Sequence, residues 1–205
     1  LCFPEFKKDK WKFRKLGKVA KIDPELLNGN TPDDYVFSYI DLSSIEQGKI
    51  NNNLPKIKFS ESPSRARKIV RNNDVIMSTV RPYLQGFAIV NNTQSDLICS
   101  TGFSVIRLEN AEDSIFVYEA LFSSIVSKQV NARLAGSNYP AINSSDVKNI
   151  QIPFPSFQNR KKIANVLSQS SQEISHLEKY LKNLKQQKKG LMQQLLTGKT
   201  RVPLN

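Results

Sequence analysis

The sequence predicts an α+β fold: a mixed, strand-rich globular domain over residues 1–155, a long C-terminal coiled-coil helix over 156–198, and a short tail over 199–205. Three observations predict it. Short β-branched and aromatic runs alternate with turn residues up to Pro155. A single stretch of helical spacing interrupts them near residue 112. After Ser156 the apolar residues recur at alternating intervals of three and four and continue almost to the end of the chain.

The strands come first. "YVFSYIDL" (35–42) lies between "TPDD" and "SS", and "DVIMSTV" (74–80) follows the turn-like "RNN". "GFAIV" (86–90) and "FSVIRL" (103–108) continue the series, with "NNTQSD" as the loop between them. One helix is expected over 112–130, where Ile115, Tyr118, Leu121, Phe122 and Ile125 share a face. "NARLAGSNYPAINSSDVKN" reads as a loop leading into the strand "IQIPF". No internal repeat is visible.

Ser156 is a good N-cap after Pro155, and Thr197-Gly198 a good stop. One seam row is Arg160, Leu167, Ile174, Leu181, Lys188 and Leu195, and the other is Ile163, Ser170, Leu177, Leu184 and Leu191. Most of these positions are apolar, as a coiled coil requires. Residues 157–197 make a rod of roughly 60 Å, longer than the ~35–40 Å diameter of a domain of this size. Part of the stripe therefore needs another helix, and a second copy of the chain is the simplest source.

Composition narrows the function. The 205 residues are 39% apolar and 23% charged, with room for one domain and an appendage. No apolar run approaches the ~20 residues of a membrane span, and the start "LCFPEFKKDKWKFRK" lacks a signal peptide's apolar middle. Cys2, Cys99 and a lone histidine, His176, suggest a reducing, cytoplasmic setting and no structural metal.

The net charge of +12 points to a polyanion. It is concentrated at the ends: residues 1–21 carry 8 Lys/Arg against 2 acids, and residues 156–205 carry 10 against 2. A nucleic-acid surface on the globular part must be a local cluster. Residues 56–81 offer one, with Lys56, Lys58, Arg65, Arg67, Lys68, Arg71 and Arg81 against Glu61 and Asp74. The alternative is a solvated charged face.

Enzyme signatures are absent from the sequence. The glycines are too scattered for a phosphate loop. His176 falls on the outer face of the rod, far in sequence from both cysteines. Pro32-Asp33 and "DVK" (146–148) are too far apart and too common to mark a nuclease, and "SNYPA" (137–141) has the wrong order for an amino-methyltransferase signature. No catalytic residue is expected.

The segment "GSNYPAINSSDVKNIQIPFPSFQNRKKIANVL…KKGLMQQLLTGKTRV" closely resembles the end of a repeat half in specificity subunits of type I restriction-modification systems. "LCFPEF…WKFRKLGKVAKI", "STVRPYLQGFAIV" and "LICSTGFSVIRL" are similar to segments of that family's target recognition domains. Where the family often has Glu-Gln at the start of the helix, this chain reads Asn159-Arg160. The resemblance implies a non-catalytic subunit that binds double-stranded DNA and reads one part of a split target. Its helices would pair antiparallel, set the spacing and receive methyltransferase (modification) and restriction subunits. S-adenosylmethionine, ATP and Mg2+ would belong to those partners. The family has two recognition domains and two such helices, so this chain corresponds to half of a larger subunit or to a natural half-subunit that dimerises. A decoy fragment from a rearranged specificity locus and an unrecognised nuclease are the alternatives.

Base reading needs forked polar side chains in a groove, and phosphate contacts need Lys or Arg. Arg81, between a strand and Pro82, is the first candidate base reader, against a surface salt bridge as the alternative. Arg65 and Arg67, with Lys68, suit phosphates. Tyr83 and Gln85 suit a base edge or sugar, although Tyr83 also fits a half-buried loop aromatic. Ser137, Asn138 and Tyr139 lie in the loop before the last strand, where the family is expected to approach DNA. Lys7, Lys8, Lys10 and Lys12 reach phosphates or merely solubilise the N-terminus. The dimerisation residues are Ile163, Leu167, Ile174, Leu177, Leu181, Leu184, Leu191 and Leu195.

Overall fold

The computed structural model describes residues 11–46, 48–91, 96–134 and 140–201. The chain divides into two compact units, Leu1–Ala164 and Asn165–Asn205, so the first two turns of the long helix belong to the globular unit.

The globular unit is built on two four-stranded sheets. One has β6 (Lys56–Lys58), β3 (Val36–Ile40), β10 (Leu97–Ser100) and β7 (Ala66–Val70) in that order. The other has β2 (Lys21–Ile22), β11 (Phe103–Arg107), β8 (Val75–Ser78) and β9 (Phe87–Ile89). Pairing is antiparallel except for β10 with β3. Ile40, Val70, Leu97 and Cys99 from the first sheet meet Ile76, Ala88, Phe103 and Val105 from the second in a shared core. Strands covered on both faces read as unbroken apolar runs, which is why "VIM" and "LIC" do not alternate. The other face of the second sheet carries the largest core, where Met77, Phe87 and Ile106 pack on Phe116, Val117, Leu121, Val126 and Val147.

These last residues lie on helices α2 (Ala111–Leu121), α3 (Ser124–Asn131) and α4 (Ser144–Asn149). A short turn of helix, α1 (Leu16–Val19), buries Leu16 in the same core. Two two-stranded ribbons complete the unit: β1 (Lys12–Lys15) with β12 (Gln151–Phe154), and β4 (Ile45–Glu46) with β5 (Lys49–Ile50). Gly48, in the turn of the second ribbon, has φ +76 and sits where a Cβ would run into the Tyr118 hydroxyl.

The structure corrects three sequence expectations. The single helix over 112–130 is two helices, because Ser123 is extended (φ −67, ψ 151) and its hydroxyl caps α3 by accepting from Val126 N. The stretch before β12 contains α4, closed by a reciprocal capping box between Asn143 and Asp146. The basic run holds the edge strand β7, in which Ala66, Lys68 and Val70 all point inward.

Helix α5 (Phe157–Leu196) is continuous for 40 residues. Within the second unit, Leu167, Ile174, Leu177, Leu181, Leu184, Leu191 and Leu195 are 37–59% exposed, so the stripe is intact and uncovered. Ile163 is the exception among the seam residues: it is half-buried and packs on the domain's own core. Arg160 is also taken inward, to Asp113. The exposed seam therefore begins at Leu167. Gly198, at φ +71, ends the helix, with its N–H bonded to Leu195 O and that of Thr200 to Gln194 O.

Candidate nucleic-acid interface

Strand registers decide which loops meet. β10 ends at Ser100 opposite Ala66, the first residue of β7, and runs parallel to β3, which ends at Ile40. In the other sheet Ser78, the last residue of β8, faces Phe103, the first of β11, and Phe87 opens β9. The turn Thr101–Gly102 joins the two sheets at this end. Main-chain bonds then tie the neighbouring loops to it. Thr101 N donates to Arg65 O at 2.8 Å, and Thr79 N donates to Gly102 O at 2.8 Å. Ile142 N reaches Thr79 O at 3.0 Å, and Arg81 N reaches Pro140 O at 2.9 Å. Segments 41–44, 63–66, 79–86, 100–102 and 140–142 thus form one rim.

Arg65, Arg81, Tyr83 and Gln85 are all exposed on this rim. Arg81 and Gln85 both adopt the left-handed conformation, φ 47 and φ 54, and bracket a short 3-10 turn, Pro82–Leu84. Leu84 N donates to Arg81 O at 2.9 Å and Gln85 N to Pro82 O at 3.0 Å, while buried Pro82 anchors the turn. The loop therefore has a fixed shape, with Tyr83 and Leu84 at its tip, 49% and 67% exposed. Asp41 caps the adjoining turn at Leu42–Ser44. Burial works against its charge, yet bonds from Ser43 and Ser44 win and hold its pKa below the ordinary carboxylate range.

Sequence reasoning misplaced part of the basic run. Lys68 is buried: its Nζ donates to Phe103 O at 2.6 Å and pairs with Asp23 at 3.0 Å, so it is not available to a phosphate. Asp23 also accepts from Val105 N and from the hydroxyls of Ser104 and Ser144, a hub joining β7, β11 and the start of α4. Arg67 sits at a bulge between β7 and β10 and is half-buried, with its guanidinium 5.0 Å from the centre of the Phe59 ring and bonded to Ala66 O. Arg71 lies at the opposite end of the sheet and pairs with Glu25, which also holds Arg107. Lys12 is exposed on β1. Ser137, Asn138, Tyr139, Lys7, Lys8 and Lys10 lie outside the described residues; the first three immediately precede Pro140, which is bonded to Arg81.

Leu84 carries neither charge nor a side-chain hydrogen-bonding group, so a reading by residue type passes over it. Its signal in the sequence is its place between two polar candidates, in a loop that begins with Pro82.

Among the described residues no cluster of three His, Cys, Asp or Glu could hold a metal ion. No helix among them is long and apolar enough to cross a membrane. Burial drives the Cys99 thiol far above its ordinary pKa, which leaves it protonated and unreactive.

A family model described as the type I restriction modification DNA specificity domain matches residues 8–186. The chain belongs to that family. It is 27% identical over 139 residues to the specificity subunit of type I restriction enzyme MjaVIII from Methanocaldococcus jannaschii, covering 65% of this chain and 32% of that one. To the HindI specificity subunit of Haemophilus influenzae it is 23% identical over 176 residues, 80% of this chain and 36% of that one. The crystal structure of the HsdS subunit from Thermoanaerobacter tengcongensis superposes with a TM-score of 0.71 at 30% identity, covering 89% of this chain and 47% of that one. A chain solved in work on complex assembly and conformational transition of the type I R-M system gives 0.73 at 30% identity, over 95% and 50%. This type I specificity domain thus spans about a third of the curated relatives' length and half of the solved chains.

Proposed function

We propose that this chain is a non-catalytic recognition half of a type I specificity subunit, reading one part of a bipartite double-stranded DNA target. The observation that carries this reading is the rim, where five loops converge and present Arg65, Arg81, Tyr83 and Gln85 together. Exposed guanidinium groups supply phosphate and guanine contacts, and a glutamine can pair with adenine. Ser137, Asn138 and Tyr139 precede Pro140 in the sequence and are proposed to contribute to the same reading, and Arg67 lies beside the rim. The exposed seam from Leu167 to Leu195 takes a second helix, supplied by an antiparallel copy of the chain or by a second recognition half. The paired helices set the spacing of the two half-sites and receive the methyltransferase and restriction subunits. S-adenosylmethionine, ATP and Mg2+ serve those subunits, and the complex works in the cytoplasm.

Methylated-adenine sequencing of cells with and without the chain tests the proposal. A set of sites methylated only when the chain is present, each with two specified parts around unread bases, is expected. Unchanged methylation, together with Mg2+-dependent cleavage of DNA by the purified chain alone, would replace the reading with a nuclease.

A further inference from the structure

Among the described residues of the rim, Leu84 is the most exposed apolar side chain, and it has no polar role in reading DNA. Leu84 is 67% exposed, more than any leucine of the α5 seam. It is not on a wandering loop. Arg81 and Gln85 accept left-handed backbone that β-carbon-bearing residues avoid, and the turn between them is closed by two main-chain bonds. Ser78 N donates to Gly86 O at 3.1 Å, which pins the far side, and a Cβ on Gly86 would press within 3.3 Å of the Ser78 hydroxyl. The loop therefore carries a backbone cost to hold an apolar side chain out in water, beside an arginine and a glutamine.

The geometry points to Leu84 as a specificity-determining residue that reads thymine through its 5-methyl group. The inference rests on the DNA-reading proposal. The thymine methyl is the apolar feature that unmodified base edges offer in the major groove. A fixed leucine between two polar readers fits an edge that combines hydrogen-bonding groups with a methyl. Tyr83, next to it, has a hydroxyl to satisfy and suits a phosphate or sugar, so it does not compete for the methyl.

The test begins with the duplex that the full chain selects from a random pool. That duplex is resynthesised with each thymine replaced in turn by deoxyuridine, which lacks only the methyl group. One replacement is expected to weaken wild-type binding about fourfold, the worth of one buried methyl. Leu84→Ala should weaken binding to the parent duplex by a similar factor and show no further loss with deoxyuridine at that position. Penalties at every other thymine should be unchanged in the variant. Leu84 is exposed, so an unchanged thermal melt is the expected folding control. Independent, multiplying losses would overturn the inference, as would wild-type binding by Leu84→Ala or a selected site without thymine. Methyl-insensitive binding with a 2-aminopurine signal that Leu84→Ala abolishes would overturn it in favour of a wedge between bases. If no sequence is selected at all, the DNA-reading proposal fails and this inference falls with it.

Discussion

Arg160 holds Asp113 through two hydrogen bonds, 2.6 Å from Nε and 3.0 Å from Nη2. Nη1 donates to Pro155 O, and the guanidinium lies 3.9 Å from the centre of the Phe154 ring. The group is enclosed and nearly satisfied, and it fixes the first turn of α5 to α2. Arg160→Leu leaves a buried carboxylate without its partner and is expected to cost roughly 3–5 kcal/mol in urea denaturation. Asp113→Leu combined with Arg160→Leu should recover much of that loss. A single variant within about 0.5 kcal/mol of wild type, the range of ordinary surface substitutions, would contradict the anchoring role.

Glu25 gives the fold an acid-sensitive contact. Burial alone would raise its pKa, but hydrogen bonds from Arg71 and Arg107 reverse this and lower it below the ordinary value. A depressed carboxylate stabilises the folded state above its unfolded pKa, and that contribution is lost as pH falls through the folded one. Glu25→Gln should therefore cost roughly 1 kcal/mol at neutral pH, given that Glu25 is one-third exposed and Arg71 largely so. The difference from wild type should vanish at low pH. A constant difference in melting temperature across the titration would remove Glu25 from the acid response.

Electrostatic binding can be separated from stability within the basic run. Arg65→Ala and Arg81→Ala should each reduce the log–log salt slope of DNA binding by about 0.9. If Arg81 grips guanine with both nitrogens, its loss should also cost roughly 1–3 kcal/mol at one base position and relax the preference there. Lys68→Met should leave the slope alone and lower the melting temperature, because Lys68 is buried on Asp23 and Phe103 O. A slope change in Lys68→Met would reinstate it as a phosphate contact.

The exposed stripe on α5 predicts association. Leu177→Asp with Leu184→Asp should give monomers in light scattering at tens of micromolar, where the wild type is expected to dimerise about a two-fold axis. A symmetric dimer must read an interrupted palindrome. An asymmetric methylated site would show that a different recognition half supplies the second helix.

The long helix was legible because strands and loops do not sustain a 3-and-4 apolar rhythm over so many residues. Its first turns were not, because seam position and domain contact coincide there: Arg160 and Ile163 fit the heptad by count but face the core. Short strands with aromatic and β-branched residues showed through, as in Val36–Ile40 and Phe103–Arg107. β7 did not, since its inward positions include Lys68, whose partner Asp23 lies 45 residues earlier in the sequence. Charge alone could not divide the run at 56–81 into a surface part and a core part. The rim was only half visible: residue type singles out Arg65, Arg81 and Gln85 as candidates, but their meeting depends on strand pairing, which composition does not record.

The frame of the rim is written in main-chain atoms. Thr101 to Arg65, Thr79 to Gly102, Ile142 to Thr79 and Arg81 to Pro140 are all backbone bonds, indifferent to the side chains mounted on them. Substitutions at Arg65, Tyr83, Leu84 or Gln85 therefore change what the surface touches while leaving the scaffold in place, provided the two left-handed positions keep residues that tolerate them. If the rim reads DNA as proposed, new binding preferences are expected within one or two codon changes, with little loss of folding stability along the way.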